Sequence, residues 1–179
     1  MDMSLSPLKD YIEQDGALIH RLANIAGNVT IGEGSRIDAF VTITGRVTIG
    51  HHTHIANGVA IFGGGGVSVG NYVGLSGGVK VYSTTEDVSG DWITNPTVPA
   101  RFRNPDTRPI RIGDHVVMGA GSIAFPGADL PDGAYLGALS MCRHPLAEWS
   151  INAGIPATFK RYRSRKALEL AAQFEREAL

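Results

Sequence analysis

The chain has 179 residues, 43% of them hydrophobic, 23 glycines and a formal net charge of −1. That length suits one domain, and the near-neutral balance excludes a global field that would draw it to nucleic acid or an anionic membrane. A single cysteine, Cys142, excludes an intramolecular disulfide framework, and no apolar run is long enough to span a bilayer.

The N-terminal stretch MDMSLSPLKDYIEQDG carries no signal-peptide pattern, so a cytoplasmic location is expected. Within it, residues 4–14 predict a short capping helix: Ser4 or Ser6 can cap, Pro7 suits a first turn, and Leu8, Tyr11 and Ile12 share a face.

A different periodicity then takes over. Apolar residues recur every sixth position at Ile19, Ile25, Ile31, Ile37, Ile43, Ile49, Ile55 and Ile61. The phase slips by two at the glycine run of residues 63–66 and resumes at Val69, Leu75 and Val81. A period of six is neither helix nor strand. It is the mark of short strands joined by turns, with each inward residue returning in register. A second set, four residues after the first, is small or β-branched, as at Val29, Val41, Val47, Thr53 and Val59. Three strands per turn of chain would close a triangular coil, and stacked coils would bury one aliphatic column. Coils are expected over residues 17–81.

Residues 82–111 break the period with a stretch rich in Pro, Asn, Asp and Thr that contains Trp92 and Phe102. A loop this long inside a regular stack is functional or disordered, and its aromatic residues and Pro99 argue for an ordered excursion. The period returns at Ile112, Met118, Ala124, Leu130, Leu136 and Cys142. Cys142 sits in core phase and reads as a small buried hydrophobe. The chain closes on KALELAAQFEREAL, an amphipathic helix within a C-terminal segment of residues 143–179.

The imperfect hexads IGEGSR, IGHHTH, VGNYVG and IGDHVV, with the ending AGIPATFKRYRSR, resemble the hexapeptide-repeat acyltransferases. The likeness is to members acting on sugars and nucleotide-linked sugars by O- or N-acetylation, including the galactoside and maltose acetyltransferases. The resemblance implies an all-β fold, a single-stranded left-handed parallel β-helix with a loop excursion and a C-terminal helix. It implies a homotrimer, with acetyl-CoA as co-substrate in the groove between neighbours. The acceptor would be a sugar or nucleotide-sugar hydroxyl or amine, in surface polysaccharide biosynthesis.

Such a transfer needs a proton acceptor, a donor for the developing oxyanion and two substrates held in line. The family's base is commonly a histidine in a stretch of the form YTATHPLD. Here the matching stretch is YSTTEDVS, so Glu86 stands at the histidine position and Asp87 follows. A carboxylate could serve if burial raised its pKa, or both could simply solvate a turn. The competing base is His54. It lies between inward Thr53 and Ile55, so strand alternation turns it outward onto a flat face where a neighbouring subunit would form the groove. His51, His52 and His115 fall at corners and read as solvated or surface residues, and His20 as a surface or stacking residue. The resemblance places Ala120 and Ala138 along the pantetheine arm and Arg143, Lys160, Arg161 and Arg163 near the CoA phosphates. Trp92 and Asn95 could line the acceptor pocket.

Two alternatives stay open. One is a non-catalytic β-helix scaffold. The other is a metal hydratase of the γ-carbonic anhydrase type, which needs three histidines from adjacent coils. Here His51, His52 and His54 share one coil and His115 has Ala120 five residues on, so no metal ligands are assigned.

Overall fold

The computed structural model describes residues 10–177. Its body is a three-faced stack of parallel strands. The first face stacks Ala17–His20, Arg36–Ile37, His54–Ile55, Gly74–Leu75, Val117–Met118, Tyr135–Leu136 and Ser150–Gly154. Pairing is in register, with Ile19 on Ile37, Ile37 on Ile55, Ile55 on Leu75, Leu75 on Met118 and Met118 on Leu136. The second face runs through the first halves of Asn24–Ile31, Thr42–Ile49 and Ala60–Val69, then Lys80–Tyr82, Ile123–Ala124 and Met141–Cys142. The third face takes the second halves of the three long strands, then Ile110–Ile112 and Asp129–Leu130.

The residues in six-phase form the core. Ile37, Ile43, Ile55, Ile61, Leu75, Val81, Ile112, Met118, Ala124, Leu130, Leu136 and Cys142 are all buried. Where the inner column becomes polar, each hydroxyl has work to do. Ser35 Oγ donates to the Gly50 carbonyl at 2.8 Å and accepts from the Thr53 amide at 2.9 Å. Thr53 Oγ1 repeats this with the Gly70 carbonyl and the Val73 amide. Ser122 is the exception. Among the described residues, its Oγ is the buried side-chain polar atom without a hydrogen-bond partner. A desolvated, unpaired hydroxyl costs about 1–3 kcal/mol. Ser122→Ala is therefore expected to raise the melting temperature by about 2–12 °C, as read by calorimetry.

The long strands turn the corner between the second and third faces through glycine. Gly27 and Gly45 have φ of 104° and 88°, and a Cβ on Gly27 would lie 2.5 Å from the Gly45 carbonyl oxygen. The two-residue slip at residues 63–66 is absorbed here as a register shift between Gly45 and Val47. The excursion leaves from this same corner, between Lys80–Tyr82 and Ile110–Ile112.

The corner between the third and first faces carries an aromatic ladder. His52 stacks on Tyr72 (5.4 Å), Tyr72 on His115 (5.1 Å), and His115 meets Trp149 (5.9 Å). The C-terminal helix, Lys166–Glu177, docks here, with Phe174 edge-on to His52 at 5.0 Å. His52 and His115, expected as solvated corner residues, are thus stacking partners.

One expectation is overturned. Tyr11–Gln14 is a strand, not the end of a helix, and pairs antiparallel with Ala17–His20. The turn at Asp15 and Gly16, both at positive φ, makes the hairpin. Residues 4–9 of the expected helix lie outside the described residues. The parallel ladder also runs past Cys142, since Ser150–Gly154 pairs with Tyr135–Leu136.

Candidate active site

The corner between the first and second faces is built from stacked two-residue turns. The Phe40 amide bonds to the Leu22 carbonyl, Gly58 to Ala39, Gly78 to Asn57, Gly121 to Gly77 and Leu139 to Ala120. The second residue of each turn has positive φ, which glycine adopts at least cost. The row therefore reads Phe40, Gly58, Gly78, Gly121, Leu139. Glycine takes the second place in three turns, between two exposed apolar side chains, Phe40 at 63% and Leu139 at 73% exposure. With about 4.8 Å per coil, this row of low turns, the trough, is roughly 19 Å long. Ala120 and Ala138 are exposed on its upper part. Apart from Asn57, the turn residues between Phe40 and Leu139 are glycine or alanine, so a ligand can approach the backbone closely there.

His54 stands at the lower end of the trough, on the first face. Its Nε2 lies 2.7 Å from Asp38 Oδ2. Asp38 begins the turn that ends at Phe40, and it also receives the Tyr11 hydroxyl proton at Oδ1 (2.6 Å) and Arg36 Nε (2.9 Å). The 44% exposed imidazole is thus tied to a carboxylate that is only 16% exposed. Burial pushes the Asp38 carboxyl up, but the hydrogen bonds from Tyr11 and His54 and the charges of His54 and Arg36 outweigh it and hold it below the usual value. Burial, then the bond to Asp38, pushes the Tyr11 hydroxyl up.

The lowered Asp38 value makes a prediction. A carboxyl depressed in the folded state stabilises the protein above the ordinary value near 3.9. That stability is lost as pH falls through the lower folded value. Asp38→Asn should melt below the wild type at pH 7, and the gap should close in acid; a gap constant down to pH 2 contradicts the network.

The excursion is folded on itself. Thr84–Thr85 pairs antiparallel with Asp106–Thr107, and a short 3-10 turn spans Ala100–Phe102. Glu86 is ion-paired to Arg103 in a two-point contact, and Asp87 accepts from the Ser89 amide at 2.9 Å. Two open clefts flank this strand: Glu86, Asp87 and Trp92 line one, and Glu86, Asp87, Asp106 and Arg143 line the other. Asn95 caps a turn by accepting from the Thr97 amide. Beneath the clefts, Phe62, Tyr82 and Phe125 stack at 5.0 and 5.9 Å, and Arg143 covers Phe125 at 5.1 Å.

The anticipated residues therefore fall into three places. His54 is at the foot of the trough, Ala120 and Ala138 are along it, and Glu86, Asp87, Trp92, Asn95 and Arg143 belong to the excursion side. The structure does not bring His54 and Glu86 together within one chain, because the second face separates them. Lys160 and Arg161 are exposed on the strand Ala157–Tyr162. Arg163 turns the other way: its Nη1 donates to the Gly133 carbonyl at 3.0 Å, and its guanidinium lies over Trp149. Cys142 is buried, its thiol pushed up by desolvation. No three His, Cys, Asp or Glu side chains among the described residues are grouped to hold a metal ion, and no helix is long and apolar enough to cross a membrane. Asp38, Arg36, Tyr11 and Arg103 were not anticipated.

Comparison with known proteins gives this geometry its setting. The bacterial transferase hexapeptide family (six repeats) matches residues 31–63. The chain is 37% identical to dTDP-4-amino-4,6-dideoxy-D-glucose acyltransferase of Escherichia coli, over 85% of this chain and 81% of that protein. It is 26% identical to the putative lipopolysaccharide biosynthesis O-acetyl transferase WbbJ of Escherichia coli K12, over 82% of this chain and 72% of that protein. A variant of AntD, an N-acyltransferase from Bacillus cereus solved with dTDP and coenzyme A, matches with TM-score 0.90 and 32% identity, over 94% of this chain and 98% of that one. A second AntD variant, with dTDP-4-amino-4,6-dideoxyglucose and coenzyme A, matches with TM-score 0.88 and 34% identity, over 90% and 89%. The chain belongs to the hexapeptide-repeat transferases of the left-handed parallel β-helix fold, and it is an acyltransferase.

Proposed function

We propose that the chain transfers an acetyl group from acetyl-CoA to the amine of a nucleotide-linked amino sugar, in the cytoplasm and for surface polysaccharide synthesis. The observation carrying this reading is the likeness to AntD over 94% of the chain, an overlap that includes most of the excursion. The pantetheine arm lies in the trough past Ala138 and Ala120. Lys160 and Arg161 meet the CoA phosphates at its upper end, and Arg143 stands at the rim of the acceptor cleft. Arg163 supports this end by fixing the hairpin strand to Gly133 and Trp149. His54, at the lower end, takes the proton from the attacking amine. Glu86 and Asp87 shape the acceptor cleft with Trp92 and Asn95. Assembly as a homotrimer brings the trough and His54 of one copy to the excursion of the next, which explains why one chain keeps them apart. The 26% identity to WbbJ favours a hydroxyl acceptor as the second reading.

Calorimetric titration with acetyl-CoA tests the donor site. Saturable binding at one per subunit is expected, and Lys160→Ala/Arg161→Ala should weaken it about tenfold or more, as the loss of two charge-assisted phosphate contacts requires. No binding up to millimolar acetyl-CoA would overturn the reading.

A further inference from the structure

The cluster around His54 contains more than a base needs. Asp38 touches three partners: Tyr11 at 2.6 Å, Arg36 at 2.9 Å and His54 at 2.7 Å. Tyr11 comes from the N-terminal hairpin, where its ring also meets His20 edge-on at 5.0 Å. The hairpin thus reaches across to the turn that opens the trough.

The arrangement selects a tautomer. His54 Nε2 lies 2.7 Å from Asp38 Oδ2 and 2.9 Å from Arg36 Nη2. A guanidinium only donates and an ionised carboxylate only accepts, so Nε2 cannot satisfy both. The carboxylate contact is shorter, and Arg36 already has Asp38 Oδ1 as acceptor through Nε. A lone pair on Nε2 would face the carboxylate at 2.7 Å, which is repulsive. The proton therefore sits on Nε2, and Nδ1 keeps its lone pair.

We infer that Asp38 is a positioning residue for the acyl transfer: held by Tyr11 and Arg36, it fixes His54 in the Nε2–H tautomer and leaves Nδ1 as the proton acceptor. This rests on the reading of His54 as base. In the step it serves, the amine nitrogen forms a bond to the thioester carbonyl carbon and gives a proton to Nδ1. The C–S bond then breaks with its electron pair on sulfur, and the imidazolium returns the proton to the thiolate. The products are an amide and a free thiol, and Asp38 stays ionised throughout, stabilising the imidazolium.

Four variants and one spectrum test it. Asp38→Asn places an amide donor opposite Nε2, forcing the proton onto Nδ1, whereas Asp38→Ala leaves the tautomer unforced. The expected order of kcat is wild type, Tyr11→Phe (down about threefold to tenfold), Asp38→Ala, then Asp38→Asn (down nearly as far as His54→Gln, on the order of 10²–10⁴), with KM for both substrates little changed. A merely structural carboxylate would give the opposite order, since Asn is the closer isostere. If His54→Gln is inactive but Asp38→Asn is as fast as Asp38→Ala or faster, the inference fails and the base survives. If His54→Gln turns over like the wild type, both fail. Nitrogen-15 spectra of the histidine-labelled wild type read the tautomer without any variant. A protonated Nε2 and bare Nδ1 on His54 are expected, and the reverse overturns the inference.

Discussion

His54→Gln lowers kcat by roughly 10²–10⁴, the range removed with a general base, while acetyl-CoA still binds with wild-type affinity. The reason lies in where His54 sits. It is 44% exposed at the foot of the trough, so an acceptor can reach it, and its anchor Asp38 is in the wall rather than in the cleft. On the proposed reading the donor's contacts lie further up, at Ala120, Ala138 and the exposed basic strand Ala157–Tyr162, so removing the imidazole should take away proton transfer and leave donor binding. Glu86 offers a contrast. Its carboxylate is already occupied by Arg103 in a two-point ion pair, so Glu86→Gln should act through the shape of the excursion and raise KM for the acceptor before it lowers kcat. Steady-state kinetics of the two variants separates these roles. A His54→Gln enzyme with unchanged kcat, beside an inactive Glu86→Gln enzyme, would move the base to the excursion.

The second large effect is on the fold. Gly45→Ala should destabilise by about 4 kcal/mol, combining about 2 for a side chain at positive φ with about 2 for overpacking. Its melting temperature should fall by about 10 °C or more. Gly45 has φ of 88°, and a Cβ there would lie 2.6 Å from the Gly63 carbonyl carbon and oxygen. Neither neighbour can retreat, because Thr42–Ile49 is hydrogen-bonded to a strand on each side. Gly90 is the control. Its φ is 89°, but nothing lies within 4 Å of its added Cβ, so Gly90→Ala should show only the dihedral part. Equal losses at the two positions would mean that crowding at the glycine corner contributes nothing.

The core was legible because the period of six is written in side chains that all face one way. Ile37, Ile43, Ile55 and Ile61 needed no structure to be placed together, and they are buried as expected. The N-terminal hairpin was misread because Leu8, Tyr11 and Ile12 have spacing that also suits a helix. The stronger signal was Asp15-Gly16, a dipeptide suited to a tight hairpin turn, and the structure shows both residues at positive φ. His54 was correctly turned outward by strand alternation. Its partners were missed, although the register that sets Arg36 against His54 follows from counting one full coil back. The aromatic corner was illegible for another reason. The glycine run separates His52 from Tyr72, the excursion separates Tyr72 from His115, and Gly133 takes the next place before Trp149, so only the folded coils align their rings.

Acyl transfer to an amine on a nucleotide-linked sugar leaves two products that can be counted, an acetylated amine and a free thiol. The most direct measurement is mass spectrometry of the products after the purified protein is incubated with acetyl-CoA and dTDP-4-amino-4,6-dideoxyglucose, with thiol release followed in parallel. One acetyl group gained per sugar, at the amine, is expected, with one free thiol released for each, and both slowed by roughly a hundredfold or more with His54→Gln. Thiol release without acetylated amine, or acetylation only of sugars that lack an amine, would contradict it.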